Sequence, residues 1–276
     1  MFAKIQIYTM KGFKLTFSIL FFVTVAFTAC KDDDNNDAVE DPRAQNLKAL
    51  GTSAEDILSN ATFKSLTVEL AYTNNQKPSQ EALDRFKDFI IARVNKSDGV
   101  NFIETVVPNQ SGAPFTIQEI RDIETNIRTQ YTVGDDIAMY VFFSNGSSEN
   151  DTDTTVTLGT AYQNTSVVVY QNTLVNITAD DPEVLPLLES TTLHHEFGHI
   201  LGLVNIQDDD IHIDGEHEDL DHPKHCVIED CLMFFEASNI TRSHVTRMVN
   251  MLRQRANVPE FDIELCLADL QAKGSR

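Results

Sequence analysis

Basic residues are scarce in this chain: 21 lysines and arginines stand against 42 aspartates and glutamates, a formal net charge of −21. So acidic a surface repels phosphate backbones and argues against nucleic acid as a partner. Cysteine is scarce as well, with four in 276 residues, so the fold must rest on a hydrophobic core rather than a disulfide framework. No internal repeat appears, which excludes a solenoid. Long apolar runs are missing too. The one stretch of note, residues 15–29, is too short and wrongly flanked for a spanning helix.

That stretch follows Lys4, Lys11 and Lys14 and has the form of a secretory signal. It ends Phe27-Thr28-Ala29-Cys30, which resembles a bacterial lipobox. The resemblance implies a lipoprotein signal peptide over residues 1–29 and acylation of Cys30; a second start at Met10 would give a more conventional signal length. Removing 1–29 takes away three lysines and no acid, which carries the net charge to −24. Residues 31–37, Lys-Asp-Asp-Asp-Asn-Asn-Asp, read as a charged tether. They also resemble the acidic export tag of surface lipoproteins in Gram-negative bacteria. The expected location is the outer membrane, held by the N-terminal lipid and facing the cell surface, with a periplasm-facing lipoprotein as the alternative. Residues 30–58 then form the acylated cysteine, acidic flexible tether and lead-in segment. Residues 59–276 form one domain, ample for a single core.

Within the domain, residues 66–72 alternate apolar and polar as a half-buried strand. Ala82, Phe86, Phe89, Ile90 and Val94 share one helical face behind Ser79 as N-cap, with Gly99 beyond the end. Residues 102–107 read as a strand, 117–128 as a helix and 137–143 as a buried central strand. Strands follow at 159–162 and 166–170. Val245, Met248, Val249 and Leu252 mark a closing amphipathic helix.

The chemistry concentrates in His195-Glu196-Phe197-Gly198-His199-Ile200-Leu201-Gly202, of the form H-E-x-x-H-x-x-G. Histidines at i and i+4 project from one helical face, and as neutral imidazoles they suit two corners of a tetrahedral Zn²⁺. Glu196, beside the first histidine, is placed as the general base for a water that zinc would acidify. Leu193, Phe197, Ile200, Leu201 and Val204 fit a helix over 187–204 that opens after Pro186, with Gly202 where a helix must turn at positive φ. His194 lies on another face.

The third ligand is less direct. In metzincins the motif continues x-x-H; here that slot is Asn205, a poor zinc ligand. Beyond it come His212, His217 and His222, then His225-Cys226-Val227-Ile228-Glu229-Asp230-Cys231-Leu232-Met233. This last run resembles the H-C-x-x-x-x-C-x-M of archaemetzincins. The resemblance implies His225 as third zinc ligand and Met233 as the Met-turn beneath the metal. His217 and His222 are the next candidates, then His212, Asn205 or a distant carboxylate. The departure is an insertion of about twenty residues before His225. The later C-x-x-C that archaemetzincins use for a second zinc is absent, so a single catalytic Zn²⁺ is expected. The implied fold is an α+β, zincin/metzincin-like catalytic domain. It would contain a mixed twisted sheet, an active-site helix, the Met-turn and a C-terminal helix. In such domains extended substrate pairs with an edge strand above the active helix, here expected at 158–162.

With Cys30 lipidated, an oxidising envelope would let Cys226 and Cys231 close a small disulfide loop, or let either pair with Cys266. Acid clusters at 208–210 and 149–153 carry oxygen ligands of the kind Ca²⁺ takes, but neither has EF-hand spacing, and solvated loops are the plainer reading. Between residues 205 and 236, eleven acids face Lys224 alone, a balance that favours substrates with basic residues. The function expected is zinc-dependent endopeptidase action on polypeptides. The alternatives are an envelope lipoprotein that captures metal and a non-catalytic zincin-fold adhesin.

Overall fold

The computed structural model describes residues 41–212, 217–234 and 240–276. The signal segment, Cys30 and the acidic run lie outside the described residues.

The sheet is built around β3 (Asp136–Phe143), whose run Ile-Ala-Met-Tyr-Val-Phe-Phe is buried throughout. A strand apolar on both sides must be covered on both sides. It pairs in parallel with β1 (Ser65–Thr73), which pairs in parallel with β2 (Gly99–Val107). On its other side lies β6 (Ser166–Val169), again parallel, and beyond that the antiparallel edge strand β5 (Gly159–Gln163). The order is β2-β1-β3-β6-β5.

Helices fill both faces. On one, Leu66, Val68 and Leu70 of β1 and Met139, Val141 and Phe143 of β3 pack with Leu83, Phe86 and Ile90 of α2 (Gln80–Arg93). On the other, Ala71, Tyr140, Phe142 and Val168 meet Ile120 of α3 (Ile117–Ile127). Both helices start where side chains satisfy open N–H groups: Ser79 accepts from Ala82 N, and Thr116 forms a reciprocal capping box with Glu119.

Double coverage changes the reading of β1. Thr67 and Glu69, expected to face solvent, are 7% and 0% exposed. Glu69 is tolerated because its carboxylate accepts from Thr105 Oγ1 (3.0 Å), Thr129 Oγ1 (2.9 Å), Thr129 N (2.8 Å) and Gln130 N (2.9 Å). The packed domain also begins earlier than residue 59. Helix α1 (Ala54–Leu58) buries Ile57 and Leu58, and Asn46 donates to Ala138 O at 2.8 Å while accepting from Thr132 N at 2.8 Å. The lead-in segment is therefore fastened to the core by Asn46 and by α1 rather than being tether throughout.

Three features frame the site. The edge strand β5 is clamped from below, since Tyr162 donates to Glu124 Oε2 at 2.7 Å and Arg121 donates to Tyr162 O at 3.1 Å. A short ribbon pairs β4 (Thr155–Val156) with β7 (Ile240–Thr241). After α4 (Gln171–Ile177) comes the motif helix α5 (Leu185–Ile200), followed later by α6 (Arg242–Arg255) and α7 (Cys266–Ala272).

Candidate metal centres

Helix α5 opens with Pro186 in its first turn, where a missing N–H costs nothing, and is buried along almost its whole length. It ends sooner than the apolar pattern suggests. Leu203 N bonds to Gly198 O at 3.1 Å, Gly202 takes φ 72°, and Val204 and Asn205 both take φ 57°. Glycine adopts that region freely and asparagine tolerates it, so it is β-branched Val204 that takes this turn against its preference. Asn205, in the slot where metzincins place a third histidine, is buried and donates its N–H to Asp210 Oδ2 at 2.8 Å.

The inserted segment returns to the helix by local pairing. Glu218 and Cys226 form an antiparallel bridge, with Asp219 N donating to His225 O at 2.8 Å and Val227 N to His217 O at 3.0 Å. Lys224 Nζ reaches Asn205 O at 2.5 Å, fastening the segment to the end of α5. His225 is thereby delivered beside the motif, its ring 5.2 Å from those of both His195 and His199. One nitrogen from each of the three histidines lies within 4.8 Å of the others.

The histidines fit a bound cation. His195 Nδ1 lies 3.0 Å from Leu232 O and His225 Nδ1 3.1 Å from Pro223 O. If each Nδ1 carries the proton, both rings keep an Nε2 lone pair for a metal. Nε2 of His195 and Nε2 of His199 face each other at 3.1 Å. Burial, with His225 adding to it, lowers the His195 pKa to about 3, and burial, with His195 next, holds His199 well below its usual value. His195 and His199 are thus held neutral, and with His225 they converge as a donor set that suits Zn²⁺. Glu196 is 2% exposed, and burial raises its pKa to about 8 against one opposing bond, Ala161 N to Glu196 Oε2 at 2.7 Å. Met233 is fully buried in a short 3₁₀ turn, Leu232–Phe234, its sulfur packed against Gly198 so closely that a Cβ there would collide with it.

A second cluster lies immediately behind the first. Cys226, Cys231 and Cys266 are all buried and all free thiols, which corrects the disulfide expected between Cys226 and Cys231. Cys231 Sγ and Cys266 Sγ are 3.4 Å apart, and His217 Nε2 is 3.1 Å from Cys266 Sγ. The thiols of Cys226 and Cys266 both donate toward Cys231, which pulls its pKa down and favours a thiolate there. His217 presents its other nitrogen, Nδ1, 3.0 Å from the buried Asp269 Oδ2, and His212 Nδ1 lies 2.8 Å from Oδ1 of the same carboxylate. Ligand atoms of His217, Cys226 and Cys266 lie within 4.8 Å of one another, a donor group able to hold a metal ion, and Cys231 Sγ stands beside Cys266. Sequence reasoning missed it because Cys266 looked solitary and His217 sat in an acidic loop. The available signal was the number of soft donors left without a task.

The remaining candidates lie elsewhere. His222 pairs with Asp219 at 2.8 Å, half-exposed. His194 stacks on Phe89 with centroids 3.8 Å apart, and burial lowers its pKa to about 3, a packing role. The acid clusters are otherwise engaged: Lys273 Nζ bonds Asp209 at 2.8 Å and Asp210 at 2.6 Å, and Asp151 accepts from Thr157 N at 2.7 Å. Among the described residues the candidate metal-holding groups are His195, His199 and His225; His217, Cys226 and Cys266; and His212, His217 and Asp269, and none includes these acids. The edge strand expected at 158–162 is β5, and its Ala161 touches the candidate base.

No protein-family model matches the chain, and no curated protein matches it. Among solved structures, the chain is similar to archaemetzincin from Methanopyrus kandleri, at 16% identity and a TM-score of 0.46 over 76% of this chain and 96% of that one. It is also similar to a zinc-dependent peptidase from Methanocorpusculum labreanum, at 14% identity and a TM-score of 0.43 over 74% and 99%.

Proposed function

We propose that the protein is a zinc-dependent peptidase in which His195, His199 and His225 hold the catalytic ion and Glu196 is the general base. The observation that carries this reading is the convergence of three imidazoles with a buried carboxylate one residue from the first of them. Zinc, when bound, would supply Lewis acidity toward a scissile carbonyl and toward water. Glu196 takes a proton from the attacking water and returns it to the leaving amine. Strand β5 is the edge strand of the sheet and lies beside Glu196, where an extended peptide would run. The proposal includes endopeptidase action on peptide running along β5, and a preference for substrates with basic residues from the acidic segment around Lys224.

The group of His217, Cys226 and Cys266 holds a second, structural ion in this reading. Attachment to the outer membrane through acylated Cys30, with the domain at the cell surface, completes the proposal. Lipid labelling of the wild type and of Cys30→Ser, with protease shaving of intact cells, tests that part; an unlabelled wild type would end it.

The enzymatic part is tested by incubating the zinc-loaded full chain with a peptide library and reading cleavage by mass spectrometry, beside Glu196→Ala. Cuts that vanish in the variant while zinc stays bound support the reading. Cuts that persist overturn the role of Glu196, and a zinc-loaded wild type that cuts nothing favours a binding protein.

A further inference from the structure

Strand β5 does more than line a groove. Leu158 O accepts from Tyr170 N at 2.8 Å, and Gly159 faces Val169 while Ala161 faces Val167. In an antiparallel pair this alternation turns the backbone groups of 158 and 160 toward β6 and those of 159 and 161 away from it. The outward N–H of Ala161 is the one that meets Glu196 Oε2 at 2.7 Å. At Gly159 the fit is closer still. A Cβ there would lie 2.8 Å from Glu196 Cγ, 3.0 Å from Glu196 Oε1 and 2.9 Å from Thr192 Cγ2. Real Cβ atoms do not approach that closely, so an alanine would have to displace the carboxylate, the threonine or the strand.

We infer that β5 is the seat of the general base: the Ala161 N–H holds Oε2, and the bare Cα of Gly159 leaves the space in which Oε1 is aimed at the reacting water. The inference rests on the peptidase reading, and Gly159 and Ala161 enter it as positioning residues. Three observations converge on it. The strand is clamped by the Tyr162–Glu124 bond, so it cannot easily retreat from an added methyl. Glu196 is buried, so its carboxylate has no solvent to swing into. Ala161 N is the bond partner found for that carboxylate among the described residues.

The test compares Gly159→Ala with wild type, both zinc-loaded and full-length. A mispositioned base lowers kcat with KM little changed, so kcat should fall about 10²-fold, within the range a general base contributes, with KM within about twofold and zinc content unchanged. The double variant Gly159→Ala/Thr192→Ser removes the threonine methyl but leaves the contact with Glu196, and its kcat should stay low. Recovery in the double variant, an unchanged kcat, or a loss confined to KM would each overturn the inference. An arm independent of turnover uses alanine-selective ¹⁵N spectra, with the Ala161 peak assigned by its loss in Ala161→Gly. A carboxylate acceptor moves that amide proton downfield, and Glu196→Ala should move it back; no movement overturns the inference. A wild type that cleaves nothing removes the peptidase reading, and the amide shift then decides the seating of Glu196 alone.

Discussion

Replacing Glu196 by glutamine removes a buried ionisable group while keeping its shape and its bond to Ala161 N, and the effect on the metal-free protein depends on pH. Burial raises the folded-state pKa to about 8, against an ordinary value of 4.5. Below pH 4.5 the carboxyl is protonated in both folded and unfolded chains, so it contributes no pH dependence. Between 4.5 and about 8 the unfolded chain releases its proton and the folded chain keeps it. Stability therefore falls with rising pH, by about 1.4 kcal/mol per unit, and levels off above the folded value. At pH 7 the wild type should be about 3 kcal/mol less stable, relative to Glu196→Gln, than at pH 4.5, and at pH 9 about 4. Both proteins carry the same depressed histidines, so that contribution cancels. Urea unfolding of the two chelator-treated proteins at pH 5, 7 and 9 measures the difference directly. Zinc should shrink it, because a cation beside the carboxylate favours the charged form. A stability difference independent of pH in the metal-free proteins would refute the argument, since it would mean that Glu196 is hydrated in the folded state.

Four further outcomes are expected. Elemental analysis of the purified wild type should give two metal ions per chain, with one lost in His225→Ala and the other in Cys266→Ser; one ion in the wild type would remove the second centre. Cys266→Ser should lower the unfolding midpoint by about 5–10 °C while Glu196-dependent cleavage persists at low temperature, because a structural ion stabilises the fold directly. Gly198→Ala, which forces a methyl onto the Met233 sulfur, should cost about 1–3 kcal/mol by denaturant unfolding, and a neutral result would place Met233 away from the helix. His222→Ala, in a half-exposed pair, should change metal content and midpoint by nothing measurable; a lost ion would return His222 to the ligand set.

What could be read from the sequence follows a physical division. Local periodicity exposed His195, Glu196 and His199, the buried run of β3 and the capped face of α2, because each depends on residues within a few turns of one another. His225 and Met233 came from a resemblance in a nine-residue run, and the structure places His225 beside the motif and Met233 beneath it. The second cluster was not legible, since Cys266 and His217 are 49 positions apart and meet only when α7 folds behind the site. Nor was the burial of Glu69. Alternation signals one wet face, and the helix covering that face belongs to another part of the chain. The packing of 41–58 was hidden for the same reason: Asn46 is a polar residue whose partner lies 92 positions away.

The loop from His225 to Met233 belongs to both candidate metal sites at once. It supplies the third histidine, the carbonyl that orients His195, the methionine floor and two of three thiols. If the chain matures in an oxidising compartment, those three neighbouring sulfurs are substrates for oxidants until a metal claims them. Maturation then becomes a race, and an ion that arrives late finds a disulfide where its cage should be. The same crosslink would pull on the segment that delivers His225, so the timing of metal supply during export, and not only its amount, would set how much active protein the cell obtains.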